Sequence, residues 1–440
     1  MTESCPAAIG TIHQHPTKPP HGGSHRPTTK LGDMVQRPVL PLRADLRTRR
    51  ERVIARTMSQ SLRLIERLQA GLLPAVPPRT EDDFYRVPEG LEGFRLGDVL
   101  DSRAVVVRAF RQVKKVDAWQ VKFRSTDTNG AALCGVTTVM IPRQPFKGSV
   151  RPLLSYQSAI DSLSWTNDPS YTLRHGDQAE LPVMARAFAR GWAVVCTDYT
   201  GPHHAFGAGH LAAHLVLDGI RAAISFEPTG FDAATPIGLW GYSGGAQATL
   251  CAAEQHPGYA AELNIVGAAA GGMTVDPTIT TYEDVYDGSF ISGIPFGALI
   301  GISREFSHVD LLGALTPQGQ VMAGAAADMN ALQLMMSFPF LRWANYLTVP
   351  SVLDIPGLRS AFESNRFGQA TPKAAMYVYH GIHEQNLPIA AADDIVATYR
   401  ANGVDVTYNR SRFGGHMTVA LTGVRGALRF LSERFRNTAA

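Results

Sequence analysis

The chain has 440 residues, of which 45% are hydrophobic and 18% charged, a composition typical of globular proteins and unlike that of disordered, collagen-like or coiled-coil chains. Its net charge is only +3, but residues 1–79 hold 13 Lys/Arg and 5 Asp/Glu, so the basic character belongs to this N-terminal segment and the rest of the chain is mildly acidic. No apolar run reaches the roughly eighteen residues that a membrane span requires, so we do not expect an integral membrane protein.

The first 43 residues are predicted to be a disordered leader. Residues 1–30 contain four histidines and five prolines but few large apolar side chains, so they cannot bury enough surface to offset the entropy of ordering. The histidines are scattered through this stretch and are interpreted as solvated rather than metal-binding. Neither a secretory signal nor a twin-arginine signal is recognisable in the leader, and localisation is left open.

Residues 44–79 are predicted to form a basic, amphipathic helical segment, because apolar residues recur at helical spacing before prolines end the pattern. Its arginines are interpreted as a solvated helix face, and nucleic acid is not expected as a partner because no aromatic residues lie among them. The alternative is a docking arm for a protein or for transient contact with a membrane or lipid interface. The apolar positions are Leu62, Ile65, Leu68 and Leu72, the arginines are Arg47, Arg49, Arg50, Arg52 and Arg56, and the prolines are Pro74, Pro77 and Pro78.

Residues 80–274 and 371–440 show the pattern of an α/β domain. Alternation from Trp119 to Ser125, the turn Thr128-Asn129-Gly130 and a second apolar run ending at Ile141 predict an antiparallel hairpin. Short apolar runs separated by helical patterns follow, which indicates a mostly parallel central sheet flanked by helices. These runs are Pro152 to Tyr156, Trp192 to Tyr199, Pro236 to Gly241, Asn264 to Ala270, Ala375 to Tyr379 and Val404 to Tyr408.

An insertion at residues 275–370 separates the fourth and fifth of the predicted parallel strands. It is rich in Met, Phe and Leu with helical periods, and its length is that of a small domain rather than a loop. We therefore predict a helical cap at this point of the sheet.

The four cysteines do not resemble a disulfide framework, because three of them fall in apolar strand or helix patterns and one lies in the leader. Buried thiols are expected, with a Cys196–Cys251 bridge as the alternative. The cysteines have no metal-ligand spacing, and no metal site is predicted. The four are Cys5, Cys134, Cys196 and Cys251.

The pentapeptide Gly241-Tyr242-Ser243-Gly244-Gly245 stands between an apolar strand pattern and a helix-prone stretch. A serine at so sharp a strand-to-helix turn holds its hydroxyl exposed, and glycines beside it tolerate the strained backbone and crowded neighbours. The G-x-S-x-G pattern alone carries little information in a glycine-rich chain of this length. In this context it predicts a nucleophile elbow with Ser243 as the nucleophile.

A serine hydroxyl needs an adjacent base and an acid behind that base, and the chain order on this fold is serine, acid, histidine. His416 is the histidine that follows the last predicted strand, in the loop Phe413-Gly414-Gly415-His416 with its two glycines, so we predict it as the base. Glu384 lies on the loop leaving the preceding strand and is the predicted acid. The alternatives for the acid are Asp393 and Asp394 in the helix that follows, and Asp405 on the last strand.

An oxyanion formed during acyl transfer needs two preorganised donors, one of which is normally the amide of the residue after the nucleophile. Gly244 supplies that amide. The second donor should come from the loop Gln157-Ser158-Ala159-Ile160-Asp161, after the first parallel strand. Ser158 is the preferred residue and Asp161 its rival.

The elbow, acid loop and base together resemble the secretory lipase family, the lipase A type of α/β-hydrolase found in fungi and actinobacteria. The resemblance extends over about residues 80–435 and includes further motifs along the chain. It implies Ser243 as nucleophile, Glu384 at the acid position, His416 as base and a helical cap with an acyl-chain tunnel. The additional motifs are Asp82-Asp83-Phe84-Tyr85, Asp198-Tyr199-Thr200-Gly201, Leu217-Asp218-Gly219-Ile220-Arg221-Ala222 and Glu262-Leu263-Asn264-Ile265-Val266-Gly267.

The chain departs from the family pattern in three places. The family usually has aspartate where Glu384 stands, and a cysteine often precedes the Pro-Ser that is Pro169-Ser170 here, so the disulfide of relatives is not expected. Members are typically exported, although no signal is recognisable in this leader.

The sequence thus predicts an α/β-hydrolase that cleaves carboxylic esters of lipids through an acyl-serine intermediate, without metal or organic cofactor. An acyltransferase or peptidase on the same fold, and a non-catalytic ligand-binding protein on a hydrolase scaffold, are the alternatives. The acyl chain length and the oligomeric state are not predicted.

Overall fold

The computed structural model describes residues 48–109, 111–273, 286–384 and 387–438. The leader predicted to be disordered, residues 1–43, lies outside these ranges, as do residues 275–285 at the start of the predicted cap. None of the described helices is long and apolar enough to cross a membrane.

Within the described residues, the strands form one nine-stranded sheet and a small separate ribbon of β2 and β3. The order in the large sheet is β1-β4-β5-β7-β6-β8-β9-β10-β11; its first strands pair antiparallel and β7 to β11 pair parallel. The predicted hairpin and mostly parallel sheet are therefore present. The strands are β1 Val99–Ala104, β2 Arg108–Ala109, β3 Arg111–Gln112, β4 Val116–Thr126, β5 Ala132–Pro142, β6 Leu153–Gln157, β7 Ala193–Thr197, β8 Ile237–Tyr242, β9 Ile265–Gly271, β10 Ala375–Gly381 and β11 Val406–Ser411.

Helices cover both faces of the sheet, which explains why its interior parallel strands β6 to β9 are almost entirely buried, whereas the edge strand β11 is partly exposed. One buried cluster joins the sheet to α4, α5 and α10, and a second joins it to α3 and α12. The described helices are α1 Arg49–Leu72, α2 Pro169–His175, α3 Leu181–Phe188, α4 Gly209–Ser225, α5 Gly244–Tyr259, α6 Gly293–Glu305, α7 Pro317–Ala326, α8 Ala331–Ser337, α9 Leu358–Ser364, α10 Ile389–Ala401, α11 His416–Thr422 and α12 Val424–Thr438.

Helices α6 to α9 lie in the insertion between β9 and β10, and their apolar side chains join the same buried cluster as α4 and α5. The described part of this insertion, residues 286–370, is thus packed onto the sheet domain. It contains short helices separated by turns, which suits its periodic Met, Phe and Leu content.

Pairing in the middle of the sheet places two loops side by side. Gln157 at the end of β6 pairs with Gly241 near the end of β8. Since the carboxyl ends of parallel strands meet at one edge, the loop after β6 and the turn after β8 share that edge, where ligands of open α/β sheets bind.

The described cysteines Cys134, Cys196 and Cys251 are free thiols, so the alternative Cys196–Cys251 bridge is not formed. Cys5 lies outside the described residues.

Candidate active site

Ser243 occupies the sharp turn between β8 and α5 that the sequence predicts. Its φ of 56° and ψ of −125° are unusual for a residue with a side chain. The flanking glycines are required sterically: a Cβ on Gly241 would lie 2.1 Å from the Gly245 carbonyl oxygen, and one on Gly245 would lie 1.9 Å from the Gln157 carbonyl oxygen. The strained turn therefore presents the Ser243 side chain at the N-terminus of α5.

His416 and Glu384 lie beside this serine. His416, at the start of α11, places Nε2 3.0 Å from Ser243 Oγ, and its Nδ1 lies 3.0 Å from Glu384 Oε2. The Glu384 side chain is fully buried, whereas 16% of the His416 side chain is exposed. A buried carboxylate on Nδ1 favours the imidazole tautomer whose Nε2 can accept the serine proton.

The three aspartates that compete with Glu384 in sequence are engaged elsewhere or exposed. Asp393 accepts hydrogen bonds from the Tyr408 hydroxyl at 2.8 Å and from Arg410 at 3.1 Å, on the β11 side of α10. Asp405 pairs with Arg434 at 2.7 Å. Asp394 is exposed on α10. Of the four candidates, the structure brings Glu384 to His416.

Tyr242, the residue before the serine, also contacts the histidine. Its hydroxyl donates to the His416 carbonyl oxygen at 2.6 Å, and the two ring centroids are 5.1 Å apart. Burial, together with the Glu384 charge, raises the pKa of Tyr242, so the phenol stays a donor. Tyr242 thus ties the base to the strand that carries the nucleophile, a role that sequence patterns do not indicate.

Asp161 is the member of the loop after β6 that lies against Gly244. A Cβ on Gly244 would lie 1.9 Å from Asp161 Oδ1. Asp161 has a φ of 37°, a left-handed conformation that turns its carboxyl toward the start of α5. Burial raises the pKa of this carboxyl to about 6, opposed by the nearby His416 charge, so the neutral acid is accessible near neutral pH.

Ser158, which the sequence favours as the second donor, is buried beside Gly245 rather than Gly244. A Cβ on Gly245 would lie 3.2 Å from its carbonyl carbon, and that carbonyl accepts a hydrogen bond from the Tyr199 hydroxyl at 2.7 Å. Among the two rivals, the structure therefore places Asp161, rather than Ser158, against Gly244.

The loop from Ser158 to Asp161 is fixed by contacts from distant parts of the chain. The Ala159 amide donates to Glu180 at 3.0 Å, and the Ile160 amide donates to the Tyr199 hydroxyl at 3.1 Å. Burial raises the pKa of Glu180 to about 7; the Ala159 hydrogen bond opposes this rise and the Asp161 charge adds to it. Tyr199 belongs to the motif Asp198-Tyr199-Thr200-Gly201, but the sequence does not show that it or Glu180 holds this loop, because their contacts span 39 and 21 positions.

A narrow pocket opens from this site between the loop after β6 and α4. Its cavity volume is about 10 Å³, roughly what one water molecule requires. No acyl chain fits into this space without a rearrangement. Its lining is mostly small or apolar and includes Asp161, Phe206, Ala208, Ala212, Gly244 and Ala248.

Among the described residues, no group of three or more His, Cys, Asp or Glu side chains is arranged to hold a metal ion. The carboxylates near Ser243 instead contact the histidine and backbone amides, as the distances above show.

Comparisons with known proteins show the family of this chain. The family model for secretory lipases matches residues 169–440. This chain belongs to the secretory lipase family. A protein named "Probable inactive lipase" from Mycobacterium tuberculosis is 33% identical over 84% of this chain and 85% of its own length. Lipase A from Arthroderma benhamiae is 32% identical over 82% of this chain and 80% of its own length.

The crystal structure of Candida antarctica lipase A in its closed state is similar to this secretory lipase family member, with a TM-score of 0.77 and 27% identity over 83% of this chain and 88% of that one. The predicted α/β-hydrolase fold is confirmed by this similarity and by the sheet described above. Family membership and the lipase relatives together support an ester hydrolase.

Proposed function

We propose that this protein is a serine hydrolase that cleaves carboxylic esters of lipids, with Ser243 as nucleophile, His416 as base and Glu384 as acid. The observation that carries the proposal is the continuous chain of two 3.0 Å contacts from Ser243 Oγ through the imidazole to Glu384 Oε2. Such a chain activates an otherwise weak nucleophile.

The reaction has two halves. Ser243 Oγ attacks the ester carbonyl carbon while its proton passes to His416 Nε2, and the tetrahedral intermediate expels the alcohol, which takes that proton. Water then attacks the acyl-serine, again giving a proton to His416, and the carboxylic acid leaves as Ser243 regains its hydrogen. Glu384 stabilises the imidazolium formed in each half.

The oxyanion of both tetrahedral intermediates is assigned to the Gly244 amide and the neutral Asp161 carboxyl, in place of Ser158. The close approach of Asp161 Oδ1 to Gly244 supports this assignment. A neutral carboxylic acid donates a hydrogen bond to an oxyanion, whereas the ionised form repels it. The raised pKa of Asp161 is therefore what this role requires.

The substrate class rests on the family and on the closed pocket. The secretory lipase family model and the relative named Lipase A favour lipid esters. The pocket beside Gly244 has a small, mostly apolar lining suited to an acyl chain, but it must widen to admit one. The cap helices that pack near this region are the elements we expect to move.

A non-catalytic chain is the competing function, because one relative carries the name "Probable inactive lipase". The short contacts among Ser243, His416 and Glu384 favour catalysis in this chain. Acyl transfer to an alcohol or an amine would use the same acyl-serine, and added alcohol or peptide acceptors distinguish it from hydrolysis.

The test is turnover of p-nitrophenyl esters with acyl chains of increasing length by the wild type and by Ser243→Ala. We expect hydrolysis by the wild type and loss of turnover in the variant with an unchanged thermal unfolding curve. Turnover of similar rate in both proteins would overturn the mechanism. A wild type that is inactive toward every ester, although folded, would overturn the proposed function.

A further inference from the structure

Helix α1 lies on the cap with its two acidic side chains turned toward the protein. Glu51 pairs with Arg342 at 3.6 Å, and Glu66 accepts a hydrogen bond from Gln333 of α8 at 3.0 Å. Met58 is buried in the same interface. The contacts therefore define an inner face of α1 on which both of its carboxylates are engaged.

The outer side of α1 exposes a row of large apolar side chains. Leu64, Leu68 and Leu72 follow one another at intervals of four and are 58%, 53% and 69% exposed, and Val53, three turns before Leu64, is 55% exposed. Residues at such intervals share one side of a helix. Isolated exposed leucines need no explanation, but a row along a 24-residue helix is an apolar strip facing solvent.

A row of arginines runs beside this apolar strip. Arg49, Arg56, Arg63 and Arg67 are spaced by seven, seven and four residues, so they share one side of the helix, and all four are exposed. Within the described ranges none of these four has a carboxylate partner, whereas both glutamates of α1 face the cap. The charge on the outer side is thus of one sign.

We propose that the outer side of α1 binds an anionic lipid–water interface, with Val53, Leu64, Leu68 and Leu72 entering the acyl boundary and the arginine row contacting lipid phosphates. An amphipathic helix with leucines on one side and arginines beside them lies in the plane of such an interface. The charge complementarity selects this occupant, because a second copy of the helix would bring like-charged arginine rows together.

Lipid binding by α1 would serve the proposed function and in that respect rests on it, because an enzyme that hydrolyses lipid esters must reach aggregated substrate. Helix α1 packs on cap helix α8, so lipid bound to α1 is held against the cap. The binding itself requires no catalysis and can be measured separately.

The experiment is co-sedimentation of the full-length protein with phosphatidylcholine vesicles, with and without phosphatidylglycerol. The protein carries Ser243→Ala so that it does not hydrolyse the vesicle lipids. Replacing Arg56, Arg63 and Arg67 by glutamine should weaken partition onto the anionic vesicles roughly a hundredfold, since each surface arginine contributes about fivefold. Replacing Leu64, Leu68 and Leu72 by glutamine should weaken partition onto the anionic vesicles by about tenfold or more. Partition of the unaltered helix should fall with added salt.

A matched control removes the same charge elsewhere. Arg425, Arg429 and Arg436 are exposed on α12, and their replacement by glutamine should leave partition within about twofold, because they lie outside the proposed surface. Equal losses in the α1 and α12 arginine variants would overturn the proposal, as would no anionic preference of the unaltered helix. A concentration-dependent dimer abolished by the leucine variant, without vesicle binding, would overturn it in favour of a second copy.

In the Ser243-containing protein, all these variants should hydrolyse soluble p-nitrophenyl acetate at the wild-type rate, because α1 does not touch the reacting groups. A failure of that assay in every protein would refute the proposed function while leaving the vesicle result valid.

Discussion

Replacing Asp161 by asparagine separates the neutral and ionised forms of the proposed oxyanion donor. Asparagine is nearly isosteric, tolerates the left-handed backbone at φ 37°, and presents an N–H donor that does not ionise. The wild-type carboxyl has a pKa of about 6, so its donor form falls to roughly 1% by pH 8.

The ratio of kcat/KM in Asp161→Asn to that in the wild type is therefore predicted to rise about fiftyfold between pH 6, where about half of the wild-type carboxyl is neutral, and pH 8. The other ionisable groups of the site are the same in both proteins, so their contributions largely cancel in this ratio. Removing the donor with Asp161→Leu should cost about 10²- to 10³-fold in kcat at pH 5, where the wild-type carboxyl is mostly neutral.

The assay is initial-rate hydrolysis of a soluble p-nitrophenyl ester across pH 5 to 9, with product read at a pH-independent wavelength. A ratio that stays flat through pH 6 would refute the neutral-donor role. Near-wild-type activity of Asp161→Leu would exclude Asp161 from the oxyanion site altogether.

Three further predictions follow from the same geometry. Gly244→Ala should lower kcat by roughly a hundredfold, because its Cβ would lie 1.9 Å from Asp161 Oδ1. The control Gly258→Ala, in the same helix, meets nothing within 4 Å, and its kcat should stay within about twofold of the wild-type value; equal rates of the two variants would contradict the assignment. Glu384→Gln should lower kcat about 10³- to 10⁴-fold, because the His416 imidazole loses the group that fixes its tautomer and stabilises its charged form. The control Asp393→Asn should change kcat little, and the reverse ranking of the two variants would assign the acid to Asp393. Glu180 stays protonated in the folded protein up to about pH 7 but ionises near pH 4.5 in the unfolded chain, so the free energy of unfolding should fall as pH rises between these values. Glu180→Gln should therefore be about 3 kcal/mol more stable than the wild type at pH 8, relative to their difference at pH 4, as measured by urea titration. A stability difference that does not depend on pH would refute this coupling.

Local patterns in the sequence predicted the sheet and the elbow because each depends on neighbours in the chain. Apolar runs of strand length marked β6 to β11, and the glycines around Ser243 marked a turn whose crowding the structure shows directly. Glu384 and His416 could be ordered along the chain, since loops after parallel strands gather at one edge.

The choice between Ser158 and Asp161 could not be made in the same way. It depends on a left-handed backbone at Asp161 and on a close approach to Gly244, neither of which a local pattern encodes. The contacts of Glu180 and Tyr199 with the loop could not be predicted either, because both residues are distant from the loop in sequence. Helical spacing predicted the amphipathic α1, but only packing shows that its glutamates face the cap.

The proposed mechanism requires that Ser243 is a nucleophile activated by His416. The most direct measurement is covalent labelling by a fluorophosphonate probe, followed by peptide mass spectrometry, in the wild type, Ser243→Ala and His416→Ala. We expect one adduct on Ser243 in the wild type, none on that peptide in Ser243→Ala, and labelling slowed by orders of magnitude in His416→Ala. Absence of an adduct on Ser243 in the folded wild type, or labelling that is indifferent to His416, would contradict it.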